Sequence, residues 1–359
     1  MAQVTAWRLT RHHLVEPAPA RRWLSVVSAI GGLHAQLMSA AEHALAVRID
    51  RPASDRVRRA LWDDRSLVKT WAMRGTLHLI ARADYPDLIG AMSTLRHFLR
   101  PSWLRYFGVT QVGLDRLLSA CLAELSERGV SRQALAQRVA RRTGNPKLGT
   151  FLQSGWGTLL KPLAFRGGLC FGPSEAQKVT FVRPDRWLGR LTPTQSAPAL
   201  RAVARKFLAS YGPSTPEEFA RWLGAEGAAA KRVFRELADE LIPVTVDGWR
   251  AWLLARDRRP LDAVKTPRGA RLLPFFDPYT VAMSRQASRL FPAHLRTRVY
   301  RPQGWIAPVV LLDGRIAGVW ERTTGKGPPT VEVATFGRLV RADRAALARE
   351  AERLGLRLR

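Results

Sequence analysis

The sequence predicts a mixed α+β protein, mainly helical. It reads as about three tandem winged helix-turn-helix modules forming a concave basic surface, followed by a C-terminal β-rich domain with a terminal helix. Three observations predict this. A run of helices closed by a short hairpin recurs along the chain. The turn dipeptides Arg74-Gly75, Asp247-Gly248 and Asp313-Gly314 sit between strand-like runs. Beyond about Arg258 helical periodicity gives way to alternating apolar stretches.

The first module spans residues 1–105. "RRWLSVVSAIGG", "LMSAAEHALAVRI" and "ASDRVRRALWDD" read as helices, and "VKTWAMRGTLHLI" as strand, turn, strand. The second spans 106–192. Its helices are "GLDRLLSACLAELSERG", "SRQALAQRVARRTG" and "LGTFLQSGWGTLLKPLAFRGG", with "LCFG" and "KVTFVRP" as the hairpin. The third, 193–257, is the clearest. Thr215 is an N-cap, Pro216 the first helical residue and Glu218 the partner in a capping box. "LIPVTV" and "WRAWLL" then alternate across Asp247-Gly248. Two helices and a two-stranded wing describe a winged helix. In 258–359, "ARLLPFFDPYTVAMS", "APVVLLDGRIAGVWERT" and "TVEVATFG" read as strand-rich, and "RADRAALAREAERLGL" as the closing helix.

The chain has 359 residues, and Lys plus Arg number 58 against 29 acids, a net charge of +29. Eight of those cations are lysine. Arginine makes bidentate contacts to phosphate and base edges. A GC-rich coding bias accounts for arginine over lysine, but not for the shortage of acids. The balance therefore points to a polyanion, most simply nucleic acid. Basic clusters recur at Arg56, Arg58 and Arg59, at Arg138, Arg141 and Arg142, at Lys231, Arg232 and Arg235, and at Arg285, Arg289, Arg296, Arg298 and Arg301. One cluster is ordinarily a solvated face; several in different modules suit a surface that tracks a phosphate backbone. Arg74, Arg138, Arg141, Arg142, Arg232, Arg285 and Arg289 are the candidate DNA contacts, and three modules in one chain suit a monomer on double-stranded DNA.

Cys121 and Cys170 make neither a disulfide framework nor a zinc site and suit a reducing compartment. The N-terminus has no signal-peptide core, and no apolar run reaches the roughly twenty residues of a spanning helix. A cytoplasmic protein without a membrane partner is expected. Phosphate-loop, metal-protease and nucleophile-elbow motifs are absent, so no cofactor or metal is expected.

One stretch stands apart, "AIGGLHAQLMSA". Gly31-Gly32 should end the preceding helix. Residues two apart diverge on a helix but share a face on extended backbone. His34 and Gln36 can then point together out of a helix–helix turn. Composition alone favours helix capping or a buried hydrogen-bonded pair for them over a shared functional role.

"VSAIGGLHAQLMSAAEHALAVRI", "LVKTWAMRGTLHLIARADYPDL", "GGLCFGP", "LLPFFDPY" and "GWIAPVVLLDGRIAGVW" resemble, in that order, the AlkZ/YcaQ-like family of winged-helix DNA glycosylases. Trp71 to His78 and "APVVLLDGRIAGVW" are the most specific stretches. The family's catalytic motif is Gln, an apolar residue, Gln; here it reads His34-Ala35-Gln36. The histidine version resembles a branch associated with self-resistance to bulky DNA-alkylating natural products of the trioxacarcin and hedamycin types. The resemblance implies a monofunctional DNA glycosylase for bulky N7-alkylguanine adducts, with His34 activating a water and Gln36 positioning it. No lysine lies near His34 in sequence to form a Schiff base.

Other residues keep two readings. Arg74 and His78 contact phosphate or support the site, or they serve hairpin structure and core packing. Asp277 polarises a water, or caps a turn before Pro278. Glu42 is a candidate to face His34's side of the molecule, though spacing does not require it. Aromatic residues read mostly as core, with a few able to wedge into a duplex. The competing class is a non-catalytic winged-helix regulator or a protein that sequesters lesions; a regulator has no use for the His34/Gln36 pair.

Overall fold

Helices and antiparallel strands combine in a mixed α+β fold. The structure, a computed structural model, describes residues 1–53, 55–153, 157–283, 292–323 and 329–359. Two compact units share the chain. One comprises residues 1–54, 205–215 and 237–359, the other 55–204 and 216–236. Each draws on more than one of the sequential blocks read above.

In the second unit, Leu67–Trp71 and Leu77–Ala81 pair antiparallel, with Trp71 opposite Leu77. Arg74 and Gly75 both have positive φ, 59° and 69°. The predicted turn is therefore where the sequence puts it. Thr110 caps the helix Gln111–Glu124 through the Gly113 N–H, and Ser131 caps Arg132–Thr143 through the Ala134 N–H. Gly144 ends that second helix in the left-handed region. A helix Pro146–Gln153 follows, then the hairpin Cys170–Glu175 and Lys178–Val182. Cys170 and Val182 are buried with Val68, Tyr85 and Ile89, which joins this hairpin to the first one.

The first unit is organised by a five-stranded sheet. Its spatial order is Arg357–Leu358, Thr330–Thr335, Arg315–Thr323, Val309–Leu312, Ala270–Leu273. Alternation along the strands builds two cores. Leu272, Val310 and Trp320 lie with Leu347 and Ala351 of the terminal helix Arg341–Arg353. Leu273, Val309 and Leu311 lie on the other side, with Leu9, Val47 and Tyr279. Asp247-Gly248 joins Leu241–Val246 to Trp249–Leu254, with Val246 opposite Trp249. Asp313-Gly314 joins Leu312 to Arg315. Both dipeptides have positive φ at each residue, as a two-residue hairpin turn requires.

Two stretches depart from expectation. "LGTFLQSGWGTLLKPLAFRGG" is not one helix: the helix Pro146–Gln153 ends before Gly157, whose φ is 71°, and the short helical turns Thr158–Leu160 and Lys161–Phe165 follow. "PYTVAM" is not a strand but the helix Pro278–Met283. The Asp277 carboxylate accepts the Tyr279 N–H at 2.9 Å. Thr280 Oγ1 donates to the Asp277 carbonyl at 2.9 Å. An Asp-Pro start outweighs the β-branched residues that follow it. Among the described residues no helix is long and apolar enough to cross a membrane.

Gly90 marks a close approach within the second unit. A Cβ there would lie 2.1 Å from the Thr194 carbonyl oxygen and 2.6 Å from Ala199 Cβ. Gly90→Ala is expected to destabilise the protein by about 2 kcal/mol or more, since a backbone carbonyl cannot step aside. A lowered urea midpoint at unchanged slope would check it.

Candidate active site

His34 lies on a short link between two helices. The first, Trp23–Ala29, ends where Gly31 and Gly32 take φ of 75° and 104°. Leu33–His34 is extended, and the second helix, Met38–Ala46, begins four residues later. The expected break at Gly31-Gly32 is thus observed. Leu33 and Ala35 are fully buried and pin the link. The last carbonyls of the first helix receive outside donors. Ser210 Oγ donates to the Ala29 carbonyl, and Tyr211 OH donates to that of Ile30 at 2.8 Å.

His34 and Gln36 occupy different surroundings. His34 is 7% exposed, while Gln36 is open to solvent. The His34 ring stacks on Phe276 at 4.7 Å between centroids and 23° between planes. Phe276 in turn lies 5.2 Å from Trp305, and Phe275 meets Trp305 edge-on at 5.8 Å. Phe276 has φ of 55°, a costly conformation for a bulky residue.

What holds Phe276 there is the next residue. Asp277 forms a bidentate pair with Arg48, at 2.7 and 2.8 Å, and both side chains are fully buried. Arg48 Nη1 also donates to the Ala44 carbonyl at 2.7 Å, in the helix that follows the link. Asp277 therefore is not a water-polarising residue. It caps the turn, as one of its two readings had it, and also carries an ion pair that spacing gave no hint of.

The same helix is tied down twice more. Arg353 donates to the carbonyls of Ala46 and Ile49 at 3.2 and 2.9 Å while paired with Glu350. His43 Nε2–H donates to the Leu272 carbonyl at 2.9 Å. Burial pushes the His43 pKa down to about 4, so the ring is neutral at pH 7. Glu42, one residue earlier on this helix, has its carboxyl raised above the usual range by desolvation even though its side chain reaches solvent.

The other candidates divide. Arg74 Nη1 donates to the Trp222 carbonyl at 2.6 Å, and His78 is buried with Nδ1–H donating to the Thr76 carbonyl at 3.0 Å. Both build the hairpin and its surroundings. Arg138 and Arg141 are exposed on the helix Arg132–Thr143. Arg142 pairs with Glu124 at 2.6 Å, and Arg232 lies 3.8 Å from Glu236. Arg285 and Arg289 lie outside the described residues. Lys206, remote in sequence, brings its ammonium to Ser28 Oγ at 2.9 Å, six residues before His34. Among the described residues no three His, Cys, Asp or Glu side chains are grouped to hold a metal ion. Reading the sequence missed Phe276 and Trp305 as site residues. Their signal was local: Trp305 follows Gly304, and Phe276 lies between Pro274 and Pro278, two residues from each, rather than in a helical or alternating period.

Comparison with known proteins places the chain among the DNA glycosylases. The family described as DNA glycosylase AlkZ-like matches residues 27–356, and the chain belongs to that family. An interstrand DNA cross-link repair glycosylase of Streptomyces sahachiroi is 37% identical over 327 residues, covering 89% of this chain and 87% of that protein. The solved structure of Streptomyces sahachiroi DNA glycosylase AlkZ matches with a TM-score of 0.90 at 34% identity, covering 100% of this chain and 99% of that one.

Two outcomes are expected. Asp277→Asn leaves the Arg48 charge buried without a counter-charge and should cost about 3–5 kcal/mol, read by chemical denaturation. His43 makes stability depend on acid. Its native pKa of about 4 lies below the unfolded 6.5, so only the unfolded chain gains this proton between those values. Stability contributed by His43 is complete above pH 6.5, falls as pH drops toward 4, and is lost by then. His43→Gln, which keeps a donor for Leu272, should flatten melting temperature against pH in that window.

Proposed function

We propose that the chain is a monofunctional glycosylase that hydrolyses the N-glycosidic bond of bulky N7-alkylguanine adducts in double-stranded DNA. The observation that carries this reading is the buried imidazole of His34, held by ring stacking two residues from a solvent-exposed amide, Gln36. That arrangement gives one group a fixed, partly desolvated position and the other access to a substrate and its water.

The chemistry asks little of the protein. Alkylation at N7 makes guanine cationic, so the base leaves without being protonated. As the C1′–N9 bond breaks, its electron pair goes to the purine and the sugar becomes oxocarbenium-like. Water bonds to C1′, and its proton passes to the His34 imidazole. The Gln36 amide both donates and accepts, and so orients that water or the sugar–phosphate. His34 in place of glutamine supports membership of the self-resistance branch, directed at genotoxic natural products. The cross-link repair glycosylase of Streptomyces sahachiroi supports large lesions as the substrates. The repeated helix–helix–hairpin blocks read as tandem winged helices that grip the duplex. Arg138 and Arg141, exposed on one helix, are its best-placed phosphate contacts.

The test is a duplex with a single N7-alkylguanine, followed by alkali to turn abasic sites into strand breaks. Wild type should give breaks without added metal or cofactor. His34→Ala should lower the single-turnover rate by about 100-fold or more, and Gln36→Ala should also lower it, with melting temperatures confirming folded variants. Tight binding with no breaks on any adduct would leave a DNA-binding or lesion-sequestering protein instead.

A further inference from the structure

Trp305 is one of the few large apolar residues in the described chain that are exposed rather than partly buried, at 40%. It is not a stray surface residue. Gln303 and Gly304 take φ of 58° and 79°, which makes a tight turn that delivers Trp305 to Phe275 and Phe276. The turn is closed on both sides: Arg301 N–H donates to the Trp305 carbonyl at 2.8 Å, and Tyr300 pairs with Ile306. Two separate turns, each with non-glycine residues in the left-handed region, thus assemble one aromatic shelf. Core packing accounts for Phe276, which lies against the buried cluster around Leu273 and Tyr279, but not for Trp305, which the strained turn at Gln303 leaves exposed.

The shelf leads directly from His34. Phe276 covers the His34 ring, and Trp305 lies one ring further out. With C1′ of a damaged nucleotide at His34, a methyl group on N7 has nothing to reach Trp305. A planar polycyclic substituent has. Ring-on-ring stacking is tolerant of chemical detail and suits a family of flat adducts.

We infer that Trp305, backed by Phe275 and Phe276, is a specificity-determining subsite that stacks the planar aromatic portion of an N7-guanine adduct. The inference rests on the reading of His34 as the reacting centre. It sets the preference among lesions and leaves the hydrolytic step to His34 and Gln36.

Three duplexes test it, each with one N7-guanine lesion: methyl, a flexible nitrogen-mustard monoadduct, and the aflatoxin adduct as the planar case. Excision is read as kcat and KM, and binding by fluorescence anisotropy. Trp305→Ala should reduce the kcat/KM preference for the planar adduct over the other two by about tenfold, mostly through KM, and Trp305→Tyr should restore most of it. Equal losses on all three lesions would show that Trp305 supports His34 or grips undamaged DNA, and would overturn the subsite. So would an unchanged preference. Should wild type release none of the bases, the glycosylase reading of His34 fails, and anisotropy still decides the shelf. Loss of planar-adduct preference in Trp305→Ala binding upholds it, and equal preference in both proteins ends it.

Discussion

The buried pair of Arg48 and Asp277 is the constraint on which the site depends. It joins two segments 229 residues apart in sequence. Bringing two charges out of water costs more than a single contact returns unless further hydrogen bonds support the pair. Here the fork geometry matches, the Ala44 carbonyl takes another donor proton, and the Tyr279 N–H satisfies the carboxylate. Such a pair is better at fixing position than at adding stability. It fixes the residue before Asp277, and that residue is the strained Phe276 on which His34 stacks.

Arginine therefore serves two ends in this chain. Arg8 is buried and donates to the carbonyls of Gly212 and Pro213. Arg48 and Arg353 close the helix that follows the His34 link. A planar five-donor cation is suited to capping several carbonyls at once, which a lysine point charge is not. Others, such as Arg138 and Arg141, stay in solvent, where they can meet phosphate. Net charge signals a polyanionic partner, yet it does not say which arginines meet it. Arg74, Arg142 and Arg232 looked equivalent to Arg138 in the sequence and turn out to have protein partners.

Much of the architecture was legible because its signals are local. Turn dipeptides with left-handed backbone placed three hairpins, and Ser131 and Gly144 bounded a helix. Gly31-Gly32 correctly broke the chain before His34. Where a local signal competed with another, reading failed: in "DPYTVAM" the capping carboxylate beat the β-branched residues. Gln36 and His34 looked like a matched pair, two residues apart on extended chain. Their unequal exposure comes from what covers His34, the ring of Phe276, and no spacing rule contains that.

The sequence by itself determined the elements, the turns between them, the basic character and the candidate motif at His34 to Gln36. It could do so because propensity, capping and periodicity act over a few residues. Only the tertiary structure decided which polar residues are scaffold and which stay open to solvent. Asp277 became a buried anchor, His43 a neutral donor and Trp305 an exposed ring beside the site. Those roles depend on desolvation and on partners hundreds of residues away, and both are properties of the folded chain rather than of any stretch within it.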